Sequence, residues 1–288
     1  MPPPASTTGC DATLNEVLVI GAAGKTGRAV TRALVARGVG VRAAVRAGSR
    51  GIPYAGELVR VVTLDLVTGA GVAAAMEGVE GVYHLAPNVH PDEVAIARRV
   101  AHCAVTEGVS RFAYHSVLHP DDVSMPHHQR KSEAEGAVRA RLGSATVLRP
   151  AAYLQNLLGA ALAGRIEVPH SVDAPFTNVD LDDVAEVAAH VLTDEGHAGG
   201  TYDLAGPERL SVRDLAEIAG KVLGRSVEAV EIPLQEWMTG PAAGLTEQAR
   251  DDLAAMFRSY DREGLVGDPT TLRRLLGREP RSWRDVLA

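Results

Sequence analysis

The amino-acid sequence predicts an α/β protein built on a doubly wound parallel sheet of the Rossmann type, with a smaller C-terminal α/β lobe. Before residue 150, apolar strand-like segments alternate with helix-like segments six times. Such alternation is typical of a parallel sheet with helices on both faces. The first strand also ends in a glycine-rich loop that opens a helix, which is the arrangement of a dinucleotide-binding βαβ unit.

The strands are predicted from short apolar runs, because a strand buried on both faces carries apolar side chains at successive positions. These runs lie at 17–20, 39–45, 58–64, 79–85, 111–116 and 145–148. Helical spacing of apolar residues follows the glycine loop up to Gly38, and it recurs at 71–76, 92–107 and 129–142. Right-handed crossovers between the strands make such a sheet doubly wound.

After residue 150 the alternation becomes less regular. Helices are predicted at 153–162, 181–192 and 212–223, strands at 166–168, 176–179, 201–204 and 227–232, and mainly helix from 233 onward. We therefore divide the chain into a disordered tail at 1–14, a cofactor-binding Rossmann domain at 15–150, and a region at 151–288. This last region adds the remaining sheet strand and a lobe that covers the substrate.

The composition argues against several classes of protein. The 288 residues carry a net charge of −7, which is unfavourable for binding nucleic-acid phosphates. No apolar run reaches the roughly 18–20 residues that span a bilayer, and the N-terminal residues lack the pattern of a secretory signal. The histidines and the two cysteines, Cys10 and Cys103, show no metal-binding spacing. We therefore expect no metal site and a reduced, cytoplasmic protein.

The glycine-rich loop is predicted to hold the diphosphate of a dinucleotide. Gly21 permits a tight turn out of the strand, Gly24 lets the backbone approach the diphosphate, and Gly27 lets the helix pack closely on the sheet. The diphosphate would then meet backbone N–H groups at the positive end of the helix dipole. The loop residues assigned to cofactor binding are Gly21, Ala23, Gly24, Lys25, Thr26 and Gly27.

The residues after the second strand indicate which nucleotide is bound. An NAD-binding protein carries an acidic residue about 20 positions after the loop, where it contacts the adenosine ribose. Here that position is Arg46, Arg50 follows it, and the stretch between Lys25 and Glu57 contains no acidic residue. Because an arginine pairs with a 2′-phosphate through two hydrogen bonds, the sequence predicts NADP (NADPH when reduced) over NAD.

Further cofactor contacts are predicted at the carboxyl ends of the later strands, where ligands bind in such sheets. Asp65 follows the third strand and would accept the adenine amino group, while Leu66 packs on the ring. A helix N-cap explains Asp65 equally well. Ala86 and Pro87 follow the fourth strand, and Pro150 follows the sixth, so the backbone at these three positions is expected to line the cofactor.

Several segments occur in an order that resembles a known family. In chain order they are GAAGKTG, VRAAVR, TLDL, YHLAP, the HxxxK spacing of His127 and Lys131, VLRPAAYLQN and YDLAGPE. Together they resemble the NmrA-like group of atypical short-chain dehydrogenases/reductases, and the resemblance extends over roughly 17–232. The resemblance implies an NADP-binding Rossmann domain with a small C-terminal lobe. It also implies relatives that include quinone and isoflavone-type reductases as well as non-catalytic redox sensors.

The catalytic residues are predicted from a departure from ordinary short-chain dehydrogenases. Those enzymes use Tyr-x-x-x-Lys on a helix and a serine on the preceding strand; here the matching residues are His127, Lys131 and Ser116. Because positions i and i+4 share a helix face, His127 and Lys131 are expected to face one cleft. We expect His127 to donate a proton near neutral pH, Lys131 to hold the nicotinamide ribose, and Ser116 to orient the substrate oxygen. The alternative for His127 is a solvated residue at a helix start.

Other side chains are predicted near the site. Tyr153 and Asn156 lie where members of the family line the substrate cleft, although packing explains Tyr153 equally well. His84 and His115 lie on predicted strands and are interpreted as core histidines with satisfied ring nitrogens. Trp237 is predicted to belong either to an apolar lid or to the core.

The sequence thus predicts an NADPH-dependent oxidoreductase that reduces a small apolar carbonyl, enone or quinone. Two alternatives stay open: a non-catalytic NADP-binding redox sensor or regulatory protein, and a non-redox isomerase or cyclase on the same fold. A small-molecule substrate is the expected partner. Neither nucleic acid nor a membrane is expected to bind, and a homodimer is left open.

Overall fold

The computed structural model describes residues 16–49 and 56–288. The predicted disordered tail at 1–14, which includes Cys10, and the predicted cofactor contact Arg50 lie outside the described residues. Nine strands occur in the part of the chain that the structure describes. They are β1 (Val17–Ile20), β2 (Val41–Val45), β3 (Val59–Thr63), β4 (Gly81–His84), β5 (Arg111–His115), β6 (Thr146–Pro150), β7 (Arg165–Val168), β8 (Thr201–Leu204) and β9 (Glu228–Glu231).

Seven of these strands form one parallel sheet in the order β3-β2-β1-β4-β5-β6-β8. The predicted doubly wound α/β fold is therefore confirmed. Successive strands are added to one side of β1 up to β3, and from β4 onward they are added to its other side. Such a reversal of strand order creates a crevice at the carboxyl ends of the two central strands, where ligands of open α/β sheets bind.

The helices lie between the strands and after the last one. They are α1 (Lys25–Ala36), α2 (Val72–Met76), α3 (Glu93–Thr106), α4 (Pro126–Arg139), α5 (Gln155–Ala163), α6 (Leu181–Thr193), α7 (Val212–Leu223), α8 (Leu234–Thr239), α9 (Glu247–Glu263), α10 (Thr270–Leu276) and α11 (Trp283–Leu287).

The apolar run of β1 shows how the sheet separates two cores. All four of its residues are fully buried. Val17 and Val19 pack into a core with α1, α6 and α10, whereas Leu18 and Ile20 pack into a second core with α2, α3 and α4. Successive side chains of a strand point to opposite faces, so a strand covered by helices on both sides must be apolar throughout.

The C-terminal lobe is built around a small parallel sheet of β7 and β9. These strands pack with α5, α7 and α11 into a third apolar cluster. Trp283 is fully buried in it, and its indole N–H donates a hydrogen bond of 2.9 Å to the carbonyl of Leu215. The predicted extra sheet strand is also present, because β8 pairs with β6.

One predicted strand and one predicted helix start need correction. No strand forms at 176–179, because Phe176 instead makes single bridges with Leu210 and Leu265, and Val179 makes one with Tyr153. This short segment thus forms single bridges with three separate parts of the chain, and it does not pair with any of them over the length of a strand. The fourth helix begins at Pro126 rather than at residue 129, since proline is favoured in the first helical turn.

Among the described residues, no helix has both the length and the apolar character that crossing a bilayer requires. The same part of the chain holds no group of three or more His, Cys, Asp or Glu side chains placed to bind a metal ion.

Candidate active site

A cleft of about 940 Å³ opens at the carboxyl ends of the sheet strands. It runs from the glycine-rich loop, past the ends of β2 to β6, to side chains of the C-terminal lobe. Most of the predicted site residues line it: Gly21, Ala23, Gly24, Lys25, Thr26, Arg46, Asp65, Leu66, Ala86, Pro87, Ser116, His127, Lys131, Pro150, Tyr153 and Asn156. Among the described predictions, Gly27 does not line the cleft, because it lies buried behind the loop in α1.

The three glycines of the loop have different physical roles. Gly21 has a φ of +79°, a conformation that side chains other than glycine rarely adopt. A Cβ on Gly27 would lie 2.2 Å from the carbonyl oxygen of Gly21, so the helix can approach the strand only with glycine there. A Cβ on Gly24 would meet only that same oxygen, at 3.4 Å. Packing within the protein therefore does not require glycine at position 24, and its predicted role in the approach of a diphosphate stays a prediction.

The N-terminus of α1 offers a binding place for an anion. Gly24 caps the helix without a side-chain hydrogen bond, and no acidic residue occupies the first turn. The first backbone N–H groups of a helix have no intrahelical partner, and the helix dipole favours negative charge there. Lys25 lies in the same turn, where its ammonium group donates a hydrogen bond to Asn156 and sits 5.7 Å from the centre of the Tyr153 ring. Burial lowers the pKa of Lys25.

The far end of the cleft carries the predicted nucleotide selectivity. Arg46 is exposed after β2 and borders both the cleft and an adjoining hollow of about 510 Å³ that Asp65 also lines. The Asp65 carboxylate accepts hydrogen bonds from the backbone N–H groups of Val67 (2.8 Å) and Thr68 (3.1 Å). These bonds lower the pKa of Asp65, with a smaller effect from Arg46. The carboxylate therefore stabilises the turn that begins at Asp65. Its contact with adenine stays a prediction.

The backbone beside Ala86 and Pro87 is strained. Val89, which also lines the cleft, has a φ of +50°. A β-branched residue is rarely found in this left-handed region, and such outliers cluster at ligand-binding sites. The segment after β4 thus has a conformation that its own residues do not favour.

Lys131 reaches the cleft from α4 within a buried polar network. Its ammonium group donates to the Glu93 carboxylate (2.9 Å) and to the His115 carbonyl (3.0 Å), and it lies 5.3 Å from the centre of the Tyr114 ring. The same oxygen of Glu93 accepts a hydrogen bond of 2.7 Å from the Tyr114 hydroxyl. An ammonium group has three donors, so one N–H of Lys131 has no partner among the described residues.

Ser116 is fully buried at the end of β5, although it borders the cleft. Its hydroxyl donates to the Glu135 carboxylate, which also forms a salt bridge of 2.6 Å with Arg149. The serine proton is therefore directed toward the protein in this structure. Its predicted role in orienting a substrate oxygen stays a prediction and would rely on the lone pairs of the hydroxyl oxygen.

His127 lies in the first turn of α4 and lines the cleft, but it is not solvated, since only 6% of its surface is exposed. Burial, and then the nearby charges of Lys131, His128 and Arg130, lower the pKa of His127 to about 3. Its Nδ1 atom is buried without a hydrogen-bond partner among the described residues. The imidazole is thus neutral at neutral pH, in contrast to the expectation that it titrates there.

The sequence reasoning missed a hydrogen-bonded set centred on His115. Its Nδ1 atom lies 2.5 Å from the Tyr83 hydroxyl, and its Nε2 atom lies 2.9 Å from the Tyr153 hydroxyl. His115 is therefore a satisfied histidine as predicted, but it borders the cleft. The strand pattern contained a signal: Tyr83 pairs with Ala113, so a side chain two residues later on β5 shares its face.

His84 does not fit the same interpretation. It is fully buried beside Phe112 and Tyr114, and neither of its ring nitrogens has a hydrogen-bond partner among the described residues. Burial, followed by the charge of Lys131, lowers the pKa of His84 to about 3. The predicted satisfaction of its ring nitrogens is wrong, because the surrounding strands and helices present apolar and aromatic groups to this ring.

An aromatic wall from the C-terminal lobe closes the opposite side of the cleft. It consists of His170, Phe176, Trp237, Phe257 and Tyr260. The rings contact one another, with centroids 5.2 Å apart for Phe176 and Tyr260 and 4.8 Å apart for Trp237 and Phe257. Trp237 thus belongs to the cleft wall and not to the buried core. The wall gives this side of the cleft an apolar, aromatic surface.

Together, these features define a class of protein. A doubly wound parallel sheet whose first strand leads through a glycine-rich loop to an uncapped helix, with a large cleft where the strand order reverses, is a Rossmann-type dinucleotide-binding protein.

Within this class, the chain belongs to the NmrA-like family, because the family's model matches residues 13–280. The predicted family is thereby confirmed. The chain is 30% identical to (4-alkanoyl-5-oxo-2,5-dihydrofuran-3-yl)methyl phosphate reductase of Streptomyces griseus subsp. griseus, over 93% of this chain and 95% of the relative. It is 27% identical to NAD(P)H azoreductase of Xenophilus azovorans, over 93% of this chain and 96% of the relative.

A solved structure supports the same assignment. The structure of this protein is similar to the crystal structure of an NADPH-dependent quinone oxidoreductase from Escherichia coli in complex with NADPH, with a TM-score of 0.80 and 25% sequence identity. The match covers 94% of this chain and 98% of the other.

Proposed function

We propose that the protein is an NADPH-dependent oxidoreductase that reduces a small apolar carbonyl, enone or quinone. The observation that carries this proposal is that two features line the same cleft. One is the glycine-rich loop with the uncapped N-terminus of α1, and the other is the wall of aromatic side chains. The prediction of an NADP-dependent oxidoreductase is confirmed by the relatives, which are an NAD(P)H azoreductase, a (4-alkanoyl-5-oxo-2,5-dihydrofuran-3-yl)methyl phosphate reductase and a quinone oxidoreductase solved with NADPH.

The residues present fit this cofactor. The absence of a packing reason for glycine at position 24 and the uncapped start of α1 suit a diphosphate. Arg46 would pair with the 2′-phosphate, and the remaining N–H of Lys131 would hold the nicotinamide ribose. When bound, NADPH supplies a hydride to the substrate carbon. The protein must then place an apolar acceptor against the aromatic wall and deliver a proton to the acceptor oxygen.

The burial of Lys131 and Glu93 supports a fixed position for the cofactor. Replacing either partner would leave the other charge buried and unpaired, which costs several kcal/mol, about 3–5 in other proteins. The ammonium group is therefore held in place before any ligand arrives. Preorganisation of this kind lowers the cost of orienting a bound ribose.

The test is NADPH oxidation against a panel of quinones, enones and apolar ketones or aldehydes, with cofactor affinity measured separately by quenching of tryptophan fluorescence. We expect submillimolar affinity for NADPH and turnover with at least one class. The variant Gly24→Asp should lose NADPH binding, because a carboxylate would occupy the diphosphate position. Gly143→Asp is the matched control, since Gly143 is exposed and a Cβ there meets nothing within 4 Å.

The outcomes separate the alternatives. Tight NADPH binding without oxidation by any acceptor would contradict the reductase and support the non-catalytic sensor. Conversion of a substrate with no net change in NADPH would support the isomerase or cyclase. Equal or tighter binding of NADH than of NADPH would refute the preference for NADP.

We further infer a cytoplasmic location, which rests on cysteine chemistry. Cys103 is a free thiol on α3, and burial raises the pKa of this thiol, which keeps it in the unreactive protonated form. A reducing compartment suits such a residue. Whether the protein forms a homodimer, which the sequence leaves open, would be tested by light scattering on the purified protein.

A further inference from the structure

We propose that Tyr153 donates the proton of the reduction, and that His115 and Tyr83 act as positioning residues that aim its hydroxyl into the cleft. This inference deepens the proposed function and rests on it. It assigns the role of proton donor to the residue after β6, in place of the histidine that stands at the usual tyrosine position on α4.

The side chains of Tyr83, His115 and Tyr153 are joined by hydrogen bonds. The Tyr83 hydroxyl, the His115 ring and the Tyr153 hydroxyl form a line of hydrogen bonds with lengths of 2.5 and 2.9 Å. Tyr83 and His115 are buried, whereas Tyr153 is half-buried and lines the cleft. A backbone bridge between Tyr153 and Val179 fixes the main chain at the open end of this line.

The tautomer of His115 follows from its neutral charge and its hydrogen bond with Tyr83. Burial lowers the pKa of His115 to about 3, so the ring is neutral and has one N–H. Among the described residues, the Tyr83 hydroxyl is hydrogen-bonded only to Nδ1 of this ring. If Nδ1 carried the hydrogen, the O–H of Tyr83 would have no acceptor inside the core, and such a buried orphan donor is unfavourable. Tyr83 therefore donates to Nδ1, and the hydrogen of His115 is on Nε2.

That tautomer decides the role of the Tyr153 hydroxyl. The Nε2–H of His115 donates to the oxygen of Tyr153, which then acts as the acceptor in this hydrogen bond. The O–H of Tyr153 is consequently not used in this bond. The Thr26 hydroxyl, which also lines the cleft, is a second hydrogen-bond partner of the Tyr153 oxygen and lowers its pKa, as a donor does, so the O–H of Tyr153 can point into the cleft. Burial raises the pKa of Tyr153, so the hydroxyl keeps its proton until a stronger base, the oxygen of a carbonyl that has accepted hydride, is present.

The proton and electron balance is complete. As the carbonyl carbon receives the hydride, the C=O π bond breaks and its electron pair becomes an O–H bond to the proton of Tyr153. The two electrons of the hydride would come from bound NADPH, so the substrate is reduced by the electrons that the cofactor gives up. The phenolate of Tyr153 is held by the Nε2–H of His115 and recovers a proton from water in the cleft. Burial raises the pKa of Tyr83 well above its ordinary range, so this residue keeps its proton and the set does not relay one from the core.

His127 lacks an equivalent arrangement. Its Nδ1 atom has no hydrogen-bond partner among the described residues, so no hydrogen bond at this atom selects its tautomer. Proton donors in active sites are commonly oriented by a second group. Of the two candidates, only Tyr153 has such a group in the described part of the chain.

The first experiment compares Tyr153→Phe with a matched control. Tyr202→Phe serves as the control, because Tyr202 also has its hydroxyl bound to a histidine (His197, 3.0 Å) but does not line the cleft. We expect Tyr153→Phe to reduce kcat by about 100-fold or more, with the Kd for NADPH within a factor of two of the unmodified enzyme. Tyr202→Phe should leave both values unchanged. If Tyr153→Phe retains more than half of kcat, the assignment is wrong.

The second experiment does not depend on turnover. The ring ¹⁵N shifts of His115, measured by NMR on the full-length protein, should show hydrogen on Nε2, and Tyr83→Phe should shift the ring toward a mixture of tautomers. Tyr83→Phe should also lower kcat several-fold while KM changes by less than a factor of two. A hydrogen on Nδ1 in the unmodified protein would overturn the positioning role. If no acceptor is reduced by the unmodified enzyme, the proposed function fails, whereas the tautomer can still be measured.

Discussion

The buried histidines should make the stability of this protein unusually sensitive to mild acid. The pKa values of His84, His115 and His127 are each lowered to about 3, chiefly by burial. In the unfolded chain these side chains bind a proton near pH 6.5, whereas in the folded protein they stay neutral. The contribution of these histidines to the free energy of unfolding is therefore fully present above about pH 6.5, and it is lost progressively as the pH falls toward about 3.

The magnitude follows from the separation of the two pKa values. At pH 5.5 the unfolded imidazole is about 90% protonated while the folded one is neutral, so each histidine lowers the free energy of unfolding by about 1.4 kcal/mol relative to pH 7.5. The three histidines together should lower it by about 4 kcal/mol, a large part of the 5–15 kcal/mol that is typical of a folded protein.

A single substitution isolates one of these contributions. His84→Phe keeps an aromatic ring between Phe112 and Tyr114 and removes two ring nitrogens without partners. Urea unfolding at pH 7.5 should show the variant to be more stable by about 1 kcal/mol, because an unsatisfied buried polar group is removed. At pH 5.5 this advantage should grow by about 1.4 kcal/mol. An advantage that is equal at both pH values would refute the reasoning, since His84 would then titrate alike in both states.

Four further predictions concern the site. Arg46→Ser should weaken NADPH binding by about 10- to 100-fold and leave NADH binding within a factor of two, measured by fluorescence titration; equal losses for both would contradict a 2′-phosphate contact. Gly27→Ala should lower the melting temperature as well as cofactor affinity, because its Cβ would lie 2.2 Å from the Gly21 carbonyl. Gly24→Ala should lower affinity alone, and a matching loss of stability would show that its role is internal packing. His127→Ala should retain at least a third of kcat, and a 100-fold loss of kcat would indicate that His127 is the proton donor.

The fold and the cofactor loop were predictable because their signals are local. Four consecutive apolar residues, a glycine turn and an amphipathic helix place β1, the loop and α1 without knowledge of any distant residue. Counting from the loop also placed Arg46 at the border of the cleft, whereas its contact with the nucleotide stays a prediction. The failure at 176–179 has the opposite cause, since the conformation of Phe176 depends on Leu210 and Leu265, which come later in the chain.

The polar interior of the site was less predictable. His84 and His115 have the same kind of sequence context, yet one ring has no hydrogen-bond partner among the described residues and the other has two. The difference depends on which hydroxyl groups the neighbouring segments bring within 3 Å. Likewise, Glu93 and Glu135 are not marked by any motif, although they hold Lys131 and Ser116. Pairings of this kind become visible only when strand register and helix rotation are known.

The position of α6 in the chain has a consequence for the order of synthesis. The first six strands are complete at residue 150, but the helix that packs on α1 and against β4, β5 and β6 lies at Leu181–Thr193. A nascent chain that has reached residue 150 therefore presents apolar side chains of this face to water. Such surfaces attract chaperones and promote association of incomplete chains. The sheet can therefore fold completely only after some forty more residues have left the ribosome. The cleft at the carboxyl ends of the strands reaches its final form only once α6 has been synthesised.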